Sequence, residues 1–514
     1  MRTEDLFDIL VIGGGINGVG IARDAAGRGL KTLLCEKDDL ASWTSSASTK
    51  LIHGGLRYLE HYEFRLVREA LKEREVLLAS APHISWPLRF VLPHNKDLRP
   101  AWLIRLGLFL YDHLGKRERL PGSCGVDLTR HCVGTPLVDN LTKGFIYSDA
   151  WVQDARMVVL NAMDARNRGA EIRTRTRCIG AIRQQDHWEV KLVDGFTSEI
   201  SVVRARLLVN AAGPWAQALL TGEIGLKSDK RLRLVKGSHI VVPRLFDHDH
   251  AYIFQNQDKR IVFAIPYEND FTLIGTTDVD HEGDPADVKI SQEEISYLCQ
   301  SVSCYFKRPV KAADVVWSYA GVRPLFDNGE ADASQTTRDY AVELESEPGK
   351  APVLNILGGK LTTYRKLAQA SLSLISDVFG IADKSWTAGS ILPGGDIPNE
   401  DVNLYIGQMM ARYPWLPVKQ LERYVKTYGT RVEQILDGTS CLDGLGSCFA
   451  GDLYEAEVRY LVDEEWALTS EDILWRRTKL GLHLPQDVGG DLDDWLALYT
   501  KKQLQLAAGF SLAS

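Results

Sequence analysis

The apolar runs near the start of the chain alternate with glycine-rich turns in an order typical of a nucleotide-binding α/β fold. The run "DILVI" at residues 8–12 predicts a buried β-strand, and the alanine-rich stretch "GINGVGIARDAAG" that follows predicts a helix. A second apolar run, "KTLLCEK" at residues 31–37, predicts the next strand. This order predicts one βαβ unit of a Rossmann-type domain.

The turn between this strand and helix carries the spacing Gly13-x-Gly15-x-x-Gly18, and Glu36 closes the second strand about twenty residues later. Glycines allow a tight turn and let backbone amides approach a pyrophosphate, while the start of the helix presents its positive end to that anion. Glu36 can accept a hydrogen bond from a ribose hydroxyl. The arrangement predicts a dinucleotide site.

The fingerprint alone does not distinguish NAD from FAD, but three other segments favour FAD. The stretch "DDLASWTSSASTKLIHGG" is a hydroxyl-rich loop that suits a long, polar, enclosed ligand. The segments "ARLLVNAAGPWA" and "LNILGGKLTTYRKLAQAS" each predict a strand followed by a glycine turn, the second with a helix capped by Thr362 or Thr363. That helix start, with Lys360 beside it, would stabilise the negative charge of a reduced flavin.

Composition and charge exclude several classes of protein. A chain of 514 residues with a net charge of −8 is expected to form two or three domains and to have no global attraction to nucleic acid. Its eight cysteines form no CxxC pair, which disfavours a zinc site or a disulfide framework and indicates reduced cysteines in a cytosolic chain. No metal is expected at the site.

Several motifs together resemble one family across nearly the whole chain. They include "VIGGGINGVGIARDAAGRG", "TSSASTKLIHGGLRYLEHYEFRLV", "KGSHIVVP", "YAGVRPLF" and "GGKLTTYRKLA". They are similar to the FAD-dependent, quinone-linked glycerol-3-phosphate dehydrogenases of the bacterial aerobic type. The resemblance implies oxidation of sn-glycerol 3-phosphate to dihydroxyacetone phosphate by hydride transfer to FAD.

The fold implied by the resemblance is α/β, or α+β overall. It comprises a glutathione-reductase-like FAD-binding Rossmann domain at 1–390, with antiparallel-sheet substrate segments interleaved at roughly 80–150 and 231–340. A helical C-terminal cap domain is expected at 391–514, beyond the glycine- and proline-rich seam "TAGSILPGGDIPNED". Four stretches in this last third have helix-spaced apolar positions.

The substrate site needs cations for the phosphate and a base for the alcohol proton. The resemblance assigns Arg57, Arg323 and Lys360 to the phosphate, whereas the residues alone leave the arginines equally suited to structural ion pairs. Arg323 precedes Pro324 at what reads as a turn. His239, which the sequence places at the start of an apolar strand, is the first candidate for the base. His53 and a bound water are the alternatives.

The residues expected to contact FAD come from the turn, the hydroxyl-rich loop and the two later segments. They are Gly13, Gly14, Gly15, Asn17, Gly18, Glu36, Thr44, Ser45, Ser48, Lys50, Leu51, His53, Gly54, Gly213, Gly359, Leu361 and Thr362.

Two amphipathic stretches bear on location. Residues 99–119 combine Trp102, Leu106 and Phe109 with several basic residues, which fits either an interfacial helix on anionic lipid or a buried helix with a solvated basic end. The stretch "YLEHYEFRLVREALKERE" has alternating charges typical of a solvent-exposed face. The resemblance implies peripheral attachment to the inner face of the cytoplasmic membrane and ubiquinone as acceptor; the C-terminal domain suggests a homodimer.

Two other functions stay open on the sequence alone. One is an FAD oxidase of amino acids or glycerol phosphate that passes electrons to oxygen. The other is a nucleotide-binding regulatory or scaffold protein without turnover, for which the dinucleotide fingerprint would suffice.

Overall fold

The computed structural model describes residues 3–95, 98–115, 117–227, 232–258, 260–326 and 340–511, and within these ranges it leaves out the side chains of 3–5, 57, 60, 61, 326 and 504–511. The chain forms two compact units. The first contains the residues up to Ser80 together with Ser85–Ser390, and the second contains Ala81–Ile84 together with the residues from Ile391 onward.

The strands are β1 (Thr3–Ile12), β2 (Thr32–Cys35), β3 (Leu51–Ile52), β4 (Ser85–His94), β5 (Cys124–Asp127), β6 (Lys143–Val152), β7 (Glu171–Arg173), β8 (Thr176–Arg183), β9 (Trp188–Asp194), β10 (Ile200–Asn210), β11 (Leu232–Pro243), β12 (Ala251–Gln255), β13 (Ile261–Tyr267), β14 (Phe271–Gly275), β15 (Val279–Asp280), β16 (Trp317–Phe326), β17 (Ala341–Glu345), β18 (Val353–Leu357), β19 (Cys448–Ala450) and β20 (Leu453–Tyr454).

The α-helices are α1 (Ile16–Gly27), α2 (Phe64–Ser80), α3 (Ala101–Leu114), α4 (Asp154–Asn167), α5 (Ala216–Thr221), α6 (Gln292–Ser303), α7 (Tyr364–Phe379), α8 (Val402–Arg412), α9 (Val418–Tyr428), α10 (Val432–Ile435), α11 (Glu455–Glu465) and α12 (Val488–Ser511).

The first sheet has the strand order β17-β18-β10-β1-β2-β7 and contains the predicted nucleotide-binding unit. β1 pairs in parallel with β2 and β10, and β10 pairs in parallel with β18. β9 extends this sheet by antiparallel pairing with β10, and β8 pairs in antiparallel fashion with β9. Helices α1, α4 and α7 pack together, so the buried central strands are covered and their side chains are almost all apolar.

The second sheet is predominantly antiparallel and has the order β15-β11-β14-β13-β12-β4-β6-β3, with β16 paired to β11 and β5 paired to β6. α6 covers its core, where Leu298 and Val302 meet the inward side chains Ile240, Tyr252 and Phe254. The strands come from two separated parts of the chain. The described structure therefore has the predicted α/β class with a second, interleaved sheet.

The second unit is mainly helical. Helices α8, α9, α11 and α12 lie at the four stretches whose apolar spacing predicts helices. A core that includes Tyr424, Tyr428, Val458 and Leu461 holds them together with the short β19–β20 hairpin. The cap and dimer roles expected for this unit stay predictions.

Helix α2 corrects one reading of the charge pattern. Its alternating charges predict a solvent-exposed face, yet Glu73, Arg74 and Glu75 are buried. Arg365 donates two hydrogen bonds to the Glu73 carboxylate, at 2.7 and 2.5 Å, and Arg74 pairs with Asp149 at 2.7 Å. Partners far away in the sequence neutralise these charges, and a local pattern cannot reveal such partners.

Among the described residues, no helix is both long and apolar enough to cross a membrane.

Candidate active site

The glycine turn after β1 has no room for side chains. Gly13 has a φ of +118°, and a Cβ there would lie 2.4 Å from the carbonyl oxygen of Ala211. A Cβ on Gly18 would lie 1.9 Å from the Gly13 carbonyl oxygen. Helix α1 starts directly after Gly15, which as the N-cap residue provides no side-chain cap. The positive end of α1 therefore faces the turn, as an anion site requires.

Glu36 is a buried acceptor at the end of β2. Its carboxylate accepts hydrogen bonds from the backbone N–H of Gly14 at 2.6 Å and of Asp38 at 2.9 Å. Burial raises its pKa to about 7 even though both amides favour the ionised form. Each carboxylate oxygen can accept a further bond, which suits the predicted ribose hydroxyl.

A cavity of about 300 Å³ opens at this turn. It is lined by predicted cofactor residues from three segments, Gly13, Gly15, Glu36, Thr44, Ser45 and Gly213. Ser45 accepts a hydrogen bond from the first amide of α1 at 3.0 Å, and Thr44 donates to the Val322 carbonyl at 2.6 Å. Glycine amides, hydroxyls and one carboxylate are the donors and acceptors that a pyrophosphate and a ribose need, so these residues fit a dinucleotide.

The segment after β18 reaches the same turn through Asn17. The Asn17 side chain donates to the Gly358 carbonyl at 3.0 Å, and Gly359, with a φ of +99°, leaves room for this amide. The other amide atom, Asn17 Oδ1, is buried and has no hydrogen-bond partner within the described part of the chain. An acceptor of this kind, left unsatisfied by the protein, fits a ligand that supplies a donor.

The hydroxyl-rich loop is anchored by a residue that sequence reasoning missed. Asp154, at the start of α4, accepts two bonds from the Lys50 ammonium at 2.8 and 3.0 Å and one from the Ser48 hydroxyl at 2.8 Å. The side chains of Lys50 and Asp154 are both fully buried. From the sequence, an aspartate at this position reads only as a favourable charge in a first helical turn. The contacts of Ser48 and Lys50 with cofactor stay predictions.

Residues 51–54 lie beside the short turn that precedes α7. The Thr362 hydroxyl accepts from the His53 amide at 3.4 Å, and the Gly54 amide donates to the Tyr111 hydroxyl at 2.8 Å. The predicted helix cap is wrong, because Thr363 is the N-cap residue of α7 but its side chain makes no capping bond. Leu51 pairs with Trp151 within the second sheet, and Leu361 is half-buried in the turn before α7.

His239 lies in the middle of β11, not at the start of a strand as the sequence suggests, and is only 2% exposed. Its Nε2 is 2.9 Å from the Thr49 hydroxyl, and its ring stacks on Tyr319 with centroids 4.8 Å apart. Burial, and then the nearby charges of Lys50 and Arg323, hold the pKa of His239 well below its usual 6.5. The ring is therefore neutral near pH 7, as a proton acceptor must be.

The structure describes the side chains of two of the three residues predicted to bind the phosphate. Arg323 lies within β16 and not at a turn, and its Nη2 contacts the Thr277 carbonyl at 2.8 Å and Asp278 at 2.9 Å. The Lys360 ammonium lies 4.4 Å from the centre of the Tyr58 ring. The Arg57 side chain lies outside the described part of the chain. The Lys50 ammonium lies 5.1 Å from the centre of the Tyr319 ring that stacks on His239. Lys50 and Arg323 both oppose protonation of this candidate base.

No cluster of three or more histidine, cysteine or acidic side chains arranged to hold a metal ion occurs among the described residues.

Comparison with known proteins gives the family. Residues 8–365 match the model of the FAD dependent oxidoreductases, and residues 385–498 match the C-terminal domain of alpha-glycerophosphate oxidase. A glycerol-3-phosphate dehydrogenase of Pseudomonas aeruginosa is 55% identical, with 93% of each chain covered. A D-erythritol 1-phosphate dehydrogenase of Brucella abortus is 52% identical, covering 96% of this chain and 98% of the relative.

A solved structure agrees with these matches. The glycerol-3-phosphate dehydrogenase of Bacillus halodurans, complexed with FAD, is 27% identical with a TM-score of 0.75, covering 96% of this chain and 94% of that one. The predicted fold and cofactor are confirmed, and the glycine turn, Glu36 and Asn17 are groups that fit FAD. The chain therefore belongs to the family of FAD-dependent oxidoreductases, in the group that contains the bacterial glycerol-3-phosphate dehydrogenases.

Proposed function

We propose that this protein oxidises the secondary alcohol of sn-glycerol 3-phosphate to dihydroxyacetone phosphate and passes the electrons to ubiquinone. The observation that carries the proposal is the 55% identity to a glycerol-3-phosphate dehydrogenase over 93% of both chains. Arg323, whose charge acts on His239, supports it, because a phosphate dianion needs more positive charge than the carboxylate of an amino acid.

The residues of the site can divide the work of this reaction. Arg323 offers a guanidinium to the phosphate, and Lys360 and Arg57 are proposed to complete that contact. His239 is proposed to receive the proton of the alcohol, either directly or through the Thr49 hydroxyl bonded to it. FAD, when bound, supplies the acceptor for the hydride that leaves carbon 2.

A four-carbon polyol phosphate is the second candidate substrate, since the relative from Brucella abortus is named for D-erythritol 1-phosphate and is 52% identical. Both compounds carry a secondary alcohol next to a phosphorylated CH₂ group. The same cations and base could therefore serve either substrate, and the room beyond the reacting carbon would decide between them.

Anaerobic addition of sn-glycerol 3-phosphate should bleach the yellow flavin absorbance of the FAD-loaded protein. We expect D-erythritol 1-phosphate to bleach it at least about tenfold more slowly, since extra bulk in a fitted pocket typically costs 10–200-fold. A soluble ubiquinone analogue should then restore the colour without peroxide. The measurement is the absorbance near the flavin maximum in a stopped-flow instrument.

The Arg323→Ala protein is the control for the phosphate contact. It should stay yellow and should need a substrate concentration higher by about 10- to 100-fold, because a hydrogen bond to a charged group contributes roughly 1.5–3 kcal/mol. Faster bleaching by D-erythritol 1-phosphate would make the four-carbon phosphate, and not sn-glycerol 3-phosphate, the substrate. Peroxide formation in air without quinone reduction would show that oxygen, and not ubiquinone, is the acceptor. A colourless protein would contradict the assignment as an FAD-dependent dehydrogenase.

Helix α3 supports attachment to an anionic membrane. Trp102, Leu106, Phe109 and Leu110 lie along one face and are exposed, Trp102 at 68%. Leu108 and Tyr111 hold the opposite side in the protein. The exposed cations Arg99 and Arg105 border the apolar face, as in helices that lie in a lipid interface. Peripheral attachment at the cytoplasmic face, near a pool of quinone, is therefore part of the proposal.

The double variant Trp102→Glu with Phe109→Glu should bind phosphatidylglycerol-containing vesicles at least about tenfold more weakly, because each lost apolar side chain contributes on the order of 1.5–3 kcal/mol. Vesicle sedimentation measures the bound fraction. Phe196→Glu, at an exposed aromatic residue in the turn after β9, should leave binding unchanged. Equal binding by the double variant and the wild type would reject α3 as the membrane surface.

A further inference from the structure

Two tryptophans from separate segments meet at the cavity that holds Glu36. Trp43 lies in the loop after β2, and Trp215 lies in the 3₁₀ turn after β10. Both line the cavity and both are half-buried. Their rings pack edge to face, with centroids 5.0 Å apart and an angle of 67° between the planes. This is a favourable geometry for an aromatic pair.

Lys37 joins the two rings. Its ammonium lies 3.8 Å from the centre of the Trp215 ring and 4.9 Å from that of Trp43. Lys37 directly follows Glu36, the acid that is expected to bind ribose, and both residues line the cavity. A cation over an aromatic face is attracted to it, so Lys37 holds both rings to the end of β2.

Each indole is also held by a carboxylate. The Trp43 indole N–H donates to Asp38 at 2.7 Å, and the Trp215 indole N–H donates to Asp284 at 3.0 Å. Asp284 belongs to the segment after β15, so the arrangement connects three parts of the chain across the cavity. Each indole therefore has an aromatic neighbour, a cation and a carboxylate as partners within the protein.

We propose that Trp43, Lys37 and Trp215 form a cap that closes the adenosine end of the FAD cavity and must open before FAD enters or leaves. The end is identified by Glu36, whose carboxylate suits the ribose and lies in the same cavity. An aromatic pair that served only as a stacking surface would leave a ring face open to the adenine. Here the edge-to-face packing and Lys37 occupy the rings, which favours a closure over a stacking surface.

The cap is tested with the full-length, FAD-loaded Trp43→Ala protein. Release is followed as the exchange of bound FAD for an excess of radiolabelled FAD, and affinity is measured by equilibrium dialysis. A cap slows both the entry and the release of FAD. Without it, release should accelerate about tenfold or more. Because uptake should accelerate too, the Kd for FAD should change much less. Trp43→Phe, which keeps an aromatic ring, should restore slow exchange.

Two further variants keep the test decisive. Lys37→Met should also accelerate FAD exchange, by a smaller factor. This variant takes the place of Trp43→Ala if the latter does not fold. Trp386→Ala is the matched control. Trp386 also belongs to the first unit and has a cation, Arg168, over its ring, but it does not line the cavity. FAD exchange in this variant should therefore match the wild type. If the release rate and the Kd rise by the same factor, Trp43 is only a contact for bound FAD and not a cap. Unchanged exchange in both Trp43→Ala and Lys37→Met would also reject the cap.

Discussion

The Asp154→Asn protein is expected to lose about 3–5 kcal/mol of unfolding free energy, the typical cost of removing one partner from a buried ion pair. Lys50 and Asp154 are both fully buried, and the variant would leave the Lys50 ammonium without its counter-charge. Asp154 also holds Ser48, so the loop that is expected to contact FAD would loosen. Urea unfolding of the FAD-loaded protein and the ratio of flavin to protein absorbance after gel filtration measure the two effects.

Asp164→Asn is the matched control on the same helix. Asp164 pairs with buried Arg23 at 2.6 Å but makes no bond to the loop among the described contacts, so this variant should lose stability without a selective loss of FAD. Removing both charges with Lys50→Met and Asp154→Leu should restore much of the stability, because a buried ion pair can often be replaced by apolar side chains. Wild-type stability and FAD content in Asp154→Asn would show that the pair does not anchor the loop.

The His239→Asn protein should reduce its flavin about 10²- to 10⁴-fold more slowly at saturating substrate, the usual contribution of a general base. Substrate affinity should change far less, because the proton is transferred in the transition state. In the wild type, the reduction rate should stay level as the pH falls through 6.5, since His239 stays neutral below the usual pKa of histidine. Rapid mixing without oxygen at a series of pH values measures both.

Burial of His239 sets the sign of this pH dependence, and the charged groups around the ring add to it. Lys50 and Arg323 oppose its protonation, Asp154 and Asp278 partly balance those two cations, and Tyr319 stacks on the ring. Because the unfolded chain takes up a proton at His239 that the folded chain does not, stability should fall as the pH drops below 6.5, and this part should vanish in His239→Asn. His53→Asn is the companion variant, and slow reduction in it but not in His239→Asn would assign the base to His53.

The nucleotide end of the molecule could be predicted from local sequence because its requirements are local. Gly13 has a positive φ, a Cβ on Gly18 would collide with the Gly13 carbonyl, and Glu36 directly follows the strand that pairs with the first one. These constraints act within about twenty-five residues, and so they leave a pattern in the sequence. The helices of the C-terminal unit were likewise predictable, since each buries one apolar face.

The substrate end depended on distant contacts, and there the sequence was a weaker guide. The sequence suggests that His239 lies at the start of a strand and Arg323 at a turn, whereas both lie inside long strands that pair with each other. The burial of His239 follows from the pairing of β11 with β14 and β16, whose residues opposite His239 are 36 or more positions away. Nothing near either residue in the sequence indicates these neighbours.

The chain by itself determined the βαβ unit, the cofactor class and the helical character of the last third, because glycine sterics and apolar periodicity are properties of neighbouring residues. Only the tertiary structure decided that Lys50 is neutralised by Asp154, that Thr49 is bonded to His239, and that Trp43 meets Trp215. The physical reason is that the energy of a buried charge, a buried imidazole or an aromatic pair depends on partners that folding brings within about 5 Å, whatever their separation along the chain.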